Sequence, residues 1–192
     1  MTYSFDQFCA DNREAYDDSG KADLEVIRAN LERLIQENQP FIKKHCGPDA
    51  DDGVVELYQD PEKGFLVYAH GYTEGKKSPP HDHGASWAVY GQAKQFTEMT
   101  EWNRLDDKSE DGHAEIEVSR KYRLDPGMAG AFGPHEIHQI HFEAGARFVR
   151  VTGSDLFLEE TLSYQPDSNG VIARTVGSAA NAGEKLTKKH IA

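Results

Sequence analysis

Between residues 54 and 151 the sequence is a run of short apolar segments separated by turn residues, and this run constrains the fold most. Val54 to Tyr58 and Phe65 to Tyr72 flank the turn Asp60-Pro61-Glu62-Lys63-Gly64. Ser86 to Tyr90, Lys94 to Trp102, Glu115 to Leu124, Met128 to Phe132, Ile137 to Phe142 and Arg147 to Val151 follow. In Glu115 to Leu124, alternation puts Ile116, Val118, Tyr122 and Leu124 on one face and Glu115, Glu117, Ser119, Lys121 and Arg123 on the other. Strands this closely spaced leave no room for crossover helices. They predict an antiparallel sandwich or barrel.

The first fifty residues are patterned differently. Ser4 and Gln7 fit a helix-capping box, with Phe5, Phe8, Cys9 and Tyr16 near one face. Leu24, Ile27, Leu31, Leu34 and Ile35 form the stripe of a helix from about Ala22 to Asn38, ended by Pro40. Phe41 to Cys46 adds a short turn. Residues 1–48 are therefore expected to pack on a barrel spanning 49–165, as one domain, because a lone helix of this length is marginal in water. Residues 166–192 read as an extension, and the small, polar stretch Ser178 to Lys189 as a mobile tail.

Charge excludes some functions. The chain carries 21 Lys and Arg against 33 Asp and Glu, a net charge of −12, which repels nucleic acid and anionic membrane surfaces. No apolar run approaches the roughly 20 residues that span a bilayer. The start, Met1-Thr2-Tyr3-Ser4-Phe5-Asp6, lacks a signal-peptide pattern, and Cys9 and Cys46 show no paired spacing. A reducing, cytoplasmic setting is expected.

Five of the nine histidines lie in two short segments. In Pro79-Pro80-His81-Asp82-His83-Gly84, residues two apart on an extended chain aim both imidazoles at one point, while Asp82 faces away as a hydrogen-bonding group. A divalent transition metal needs such convergent nitrogens at about 2.0–2.2 Å. A third ligand is expected from Gly133-Pro134-His135-Glu136-Ile137-His138-Gln139-Ile140-His141. His138 is the leading candidate there. His135 and His141 stand three residues to either side, and Glu136, of the same parity as His138, is a carboxylate alternative. His45, His70, His113 and His190 read as ordinary surface or supporting residues. Arg147 and Arg150 lie three apart on a later strand, so at most one lines a cavity, where its planar fork can hold a carboxylate. Tyr90, with Tyr68 and Tyr122, is a further candidate for the cavity.

These segments resemble the two motifs of the cupins. Gly75 to His83 resembles the first, a glycine, five residues, then His-x-His, and Gly127 to His138 resembles the second, ending in one histidine. The resemblance covers roughly residues 50–155 and implies a mainly β fold, a double-stranded β-helix or jelly-roll barrel with N-terminal helices packed on it. Within the cupins the chain looks closest to the cysteine dioxygenase-like thiol dioxygenases, which also carry helices before the barrel and a His-Asp-His motif. That likeness implies His81, His83 and His138 as ligands of Fe(II), with Ni, Zn, Co or Cu as other metals such a set accepts. It implies oxidation of a small thiol or organic acid by O2, the alternatives being metal-dependent isomerisation or lyase chemistry, or a non-catalytic small-molecule-binding cupin. It also implies pairing of barrels into a homodimer.

The departures from that branch concern the substrate. Ala88 stands where mammalian-type members carry a crosslinking cysteine. No arginine occurs in Val54 to Tyr58, and no Ser-x-His-x-Tyr follows His138; Arg150-Val151-Thr152 falls near its place. Free cysteine is accordingly expected to be a poor substrate.

Overall fold

The computed structural model describes residues 2–110, 112–167, 170–175 and 186–189. Three helices come first: α1 (Phe5–Glu14), α2 (Leu24–Glu37) and α3 (Gln39–Cys46). Ser4 caps α1 by accepting from the Gln7 amide at 3.0 Å. The Gln7 side chain does not complete the box; it donates to Asp11 instead. Asp23 caps α2 through the amides of Glu25 and Val26. Pro40 does more than end α2. It sits in the first turn of α3, where a missing N–H costs nothing, so Phe41 to Cys46 belongs to a full helix capped by Asn38.

Among the described residues twelve strands follow: β1 (Gly53–Gln59), β2 (Leu66–Gly71), β3 (Lys76–Lys77), β4 (Ala88–Lys94), β5 (Thr97–Arg104), β6 (Ile116–Leu124), β7 (Ala129–Phe132), β8 (Ile137–Phe142), β9 (Arg147–Thr152), β10 (Leu162–Asp167), β11 (Gly170–Thr175) and β12 (Leu186–Lys189). One sheet has the order β12-β1-β2-β9-β4-β7, the other β3-β8-β5-β6, and β10 and β11 form a hairpin. The pairing is nested. β5 pairs with β6, β4 with β7, β3 with β8 and β2 with β9, each antiparallel. The chain is thus one long hairpin rolled so that alternate strand pairs fall in opposite sheets. This is a jelly-roll barrel.

Several local expectations change. The segments Ser86 to Tyr90 and Lys94 to Trp102 do not part at residues 91–93. β4 continues to Lys94, and the turn falls at Gln95, which has φ 60°. Gly91 is required by packing: a Cβ there would lie 2.4 Å from Ile35 Cδ1 and 2.7 Å from Leu31 Cγ, so α2 rests directly on the β4 backbone. The four apolar residues of β6 do not share one face. Its register against β5 jumps between Arg120 and Val118, and the bulge places Tyr122 and Leu124 opposite Met99 and Thr97, but Val118 and Ile116 opposite Trp102 and Arg104. The β10–β11 hairpin straddles residue 165, where the extension was expected to begin, and Leu186–Lys189, expected to be mobile, pairs parallel to β1. The remainder of the expected tail, residues 176–185 and 190–192, lies outside the described residues.

The two faces of the larger sheet have different partners. The outer face contributes Val67, Ala69, Val89, Val149 and Val151 to a core with Ile27, Leu31, Leu34, Phe41 and Cys46 of the helices. Ile27, Leu31 and Leu34 are fully buried there. Each such side chain contributes about 1.5–3 kcal/mol, which holds the helices to the barrel. The inner face, with Ala88, Tyr90, Phe132 and Phe148, meets Met99, Ile140 and Phe142 of the second sheet. Among the described residues no helix is long and apolar enough to cross a membrane. Cys9 and Cys46 are free thiols, both buried.

Candidate metal centre

His81 and His83 do not sit on a continuous strand. His81 alone makes bridges, to His138 on one side and to Ser163 on the other. Its amide donates to the His138 carbonyl and its carbonyl accepts from the His138 amide, both at 2.9 Å. On its other side, Asp82 N donates to the Leu162 carbonyl and Tyr164 N to the Pro80 carbonyl. The backbone is therefore pinned between β8 and β10, and side chains alternate as they would on a strand. His81 and His83 project inward, and Asp82 projects toward Tyr164.

His81, His83 and His138 converge, with one ring nitrogen from each lying within 4.8 Å of the others. Ring centroids are 4.5 Å apart for His81–His138, 4.6 Å for His83–His138 and 5.6 Å for His81–His83. Each ring is oriented from outside the cluster. His81 Nδ1 lies 3.0 Å from the Pro79 carbonyl, His83 Nε2 3.1 Å from the Tyr90 hydroxyl, and His138 stacks on Phe132 at 4.0 Å. Burial, followed by the neighbouring imidazoles and Arg150, holds His83 well below its ordinary pKa; burial and then His81 do the same for His138. Neutral imidazole is the ligand form.

The donor set fits a metal ion. His138 Nε2 and His83 Nδ1 are buried without a hydrogen-bond partner. Such atoms cost about 1–3 kcal/mol each when left unpaired. A cation accepting their lone pairs removes that cost, and three-histidine sets suit divalent first-row metals.

The other candidates separate cleanly. His135 is exposed in the turn before β8 with φ 61°, its amide donating to the Gly84 carbonyl. The Glu136 carboxylate turns back to accept from the Gly133 amide at 2.8 Å. His141 points away from the barrel and pairs with Glu98 at 2.7 Å. Neither His135, His141 nor Glu136 joins the cluster. Arg147 lies on the outer face, against Asp52 at 2.8 Å and the Asp51 carbonyl at 3.1 Å. Arg150 lies on the inner face, 2% exposed. Its neighbours across the sheet are Tyr68 on β2 and Tyr90 on β4, both in register. Alternation alone shows that the two arginines face opposite ways. The strand order was needed to show which faces in.

Asp82 faces away from the histidines as a hydrogen-bonding group, as its parity predicts, and Tyr164 is the partner that the motifs did not mark. Asp82 is 1% exposed, and its carboxylate accepts from Gly84 N at 2.9 Å, Leu162 N at 3.0 Å and the Tyr164 hydroxyl at 3.2 Å. No sequence signal marked Tyr164, because its partner is a residue some eighty positions away.

No protein-family model matches the sequence, and no curated protein matches it. Solved structures are similar in shape. The cupin domain of Schizosaccharomyces pombe Cnp3 shares 11% identity, with 56% of this chain and 66% of that chain covered and a TM-score of 0.42. KdgF from Halomonas sp. shares 16% over 52% of this chain and 74% of that one, at 0.39. Oxalate oxidase in complex with the substrate analogue glycolate shares 17% over 55% and 57%, also at 0.39. The chain thus spans between about half and three quarters of the length of these structures, and the fold assignment rests on its own nested strand order.

Proposed function

We propose that the protein is a mononuclear metal-dependent cupin that uses Fe(II) and O2 to oxidise a small thiol or organic acid. The observation that carries this reading is the convergence of His81, His83 and His138 inside a barrel whose same interior holds Arg150 between two tyrosine rings. Iron, when held by these residues, would supply the redox chemistry. His81, His83 and His138 would hold the metal as neutral ligands and so leave its positive charge uncompensated toward an anionic substrate. Arg150 binds the substrate carboxylate through its fork. Tyr90 lies between that arginine and His83 and fixes the imidazole it touches. Phe132, Phe148, Met99 and Ile140 form apolar walls that keep water from the site.

The test is anaerobic loading with Fe(II), followed by O2 uptake with cysteine, 3-mercaptopropionate and a non-thiol acid side by side. Uptake matched to loss of one acid, abolished by chelation, supports the reading. Turnover without O2 consumption replaces it with isomerase or lyase chemistry. Binding without turnover replaces it with a non-catalytic role.

A further inference from the structure

Behind the three histidines lies a second polar group that does not face the cavity. Asp82 sits between His81 and His83 in the chain and points the other way, into a cluster formed by Ala114, Ile137, Tyr164, Trp102, Ile116 and Leu162. A carboxylate this deeply buried is costly unless its oxygens are occupied. One oxygen accepts the amides of Gly84 and Leu162, and the other accepts the Tyr164 hydroxyl. Tyr164 is 2% exposed; burial, then Asp82, pushes its pKa up to about 12, so it keeps its proton and donates. Arg104 acts on the same hydroxyl and is itself fixed by a two-pronged pair with Asp106 at 2.8 Å. Two segments therefore meet at the carboxylate, the His81–Gly84 loop and β10, and β5 reaches the tyrosine hydroxyl behind it through Arg104.

Geometry ties this group to the ligands. The peptide units on both sides of Asp82 carry His81 and His83. Asp82 Oδ1 spans from Gly84 N, beyond His83, to Leu162 N, whose own carbonyl accepts the Asp82 amide. This closed ring of bonds sets the rotation of the Asp82 backbone, and with it the angle between the two imidazoles. We propose that Asp82 and Tyr164 are positioning residues for the metal centre, fixing the relative orientation of His81 and His83 from the outside of the barrel. The inference rests on the metal-centre reading above and assigns no direct contact with metal or substrate to either residue. It also gives the β10–β11 hairpin a function, since β10 supplies both Leu162 and Tyr164.

The experiment compares the full chain with Asp82→Ala, Asp82→Asn and Tyr164→Phe. Cobalt(II) titration reads affinity and the visible absorption of the bound ion, and nitrogen-15 spectra of the metal-free protein read the imidazole rings directly. Asp82→Ala is expected to weaken cobalt binding by about 10–100-fold and to change the absorption bands. Tyr164→Phe is expected to move both readouts in the same direction by less. Asp82→Asn is expected to restore them, because its amide oxygen still accepts both backbone N–H groups and its NH2 still reaches the tyrosine oxygen. Thermal melts of the metal-free variants separate a loss of fold from a loss of orientation. Wild-type affinity and bands in both Asp82→Ala and Tyr164→Phe would overturn the proposal. Should the unaltered protein bind no cobalt, the metal-centre reading fails and the ring spectra decide alone. Displaced His81 and His83 signals in Asp82→Ala then support the positioning role, and unchanged signals overturn it.

Discussion

Arg150 and Tyr90 stand directly opposite each other on β9 and β4, and the guanidinium carbon lies 5.9 Å from the centre of the tyrosine ring. Tyr68 faces it from the other neighbouring strand at 5.4 Å. A guanidinium held between two ring faces loses little further freedom when it meets an anion. Charge-assisted bonds of that kind are worth about 1.5–3 kcal/mol each, or roughly one to two orders of magnitude in binding. Arg150→Lys keeps the charge and loses the fork. It is expected to raise the KM for an acid substrate at least about tenfold, while Arg147→Ala leaves it unchanged and lowers only stability. Steady-state kinetics with the acid identified by O2 uptake checks this; equal effects from the two variants would remove Arg150 from the site.

Metal content should depend on all three histidines. Replacing His81, His83 or His138 with Ala is expected to lower metal affinity at least about tenfold while the fold survives, because the apolar core under the helices is separate from the cluster. His135→Ala and His141→Ala are expected to bind as the unaltered chain does. Elemental analysis after dialysis against chelator measures this, and retained stoichiometric metal in the triple variant would count decisively against the assignment.

What the sequence made legible was what repeats locally. Turn residues and alternation located β1, β2 and β5 to β9 to within a few residues, because each is bounded by Gly, Pro or Asp. β3 and β10 were not legible, since β3 is two residues long and the irregular run Leu162 to Asp167 has as its inward partner the single bridged residue His81. The segments Ser86 to Tyr90 and Lys94 to Trp102 left the end of β4 out, because a glycine demanded by a helix some 60 residues earlier does not extend an apolar run until the helix is in place. Alternation placed Asp82 opposite its two histidine neighbours. The tyrosine that occupies it became visible only in three dimensions.

The contact of α2 with β4 gives a stability prediction. Leu31 is fully buried on the Gly91 backbone. Leu31→Ala removes a core side chain and is expected to cost about 2–5 kcal/mol. Gly91→Ala inserts a methyl where none fits and is expected to cost about 1–3 kcal/mol by pushing the helix outward. Combined, the two should cost less than their sum, since the cavity left by one receives the methyl of the other. Urea unfolding curves of the three variants measure the coupling; simple additivity would mean that the helix does not rest on this strand.

Asp60 provides a pH-dependent anchor for the N-terminal helix. Its carboxylate side chain is fully buried, receives Arg13 Nε at 2.6 Å and the Tyr58 hydroxyl at 2.9 Å, and caps the turn through the amides of Glu62 and Lys63. Burial alone would raise its pKa; the hydrogen bonds from Lys63 N, Arg13 and Tyr58 outweigh burial and hold it below the ordinary carboxylate value. A group with a folded pKa below its unfolded one contributes stability that is complete above the unfolded pKa, about 3.9, and is lost as pH falls through the folded value. Asp60→Asn cannot ionise in either state. It is expected to be less stable than the unaltered chain by about 1–3 kcal/mol at pH 7, and the gap should narrow as pH drops below about 4. Asp17, Asp106 and Asp107 are also held low, but they titrate alike in both proteins, so the difference between the two curves isolates Asp60. Urea midpoints taken from pH 7 down to pH 2 trace that difference. A gap that stays constant across the range would show that the Asp60 charge does not tie α1 to the first hairpin of the barrel.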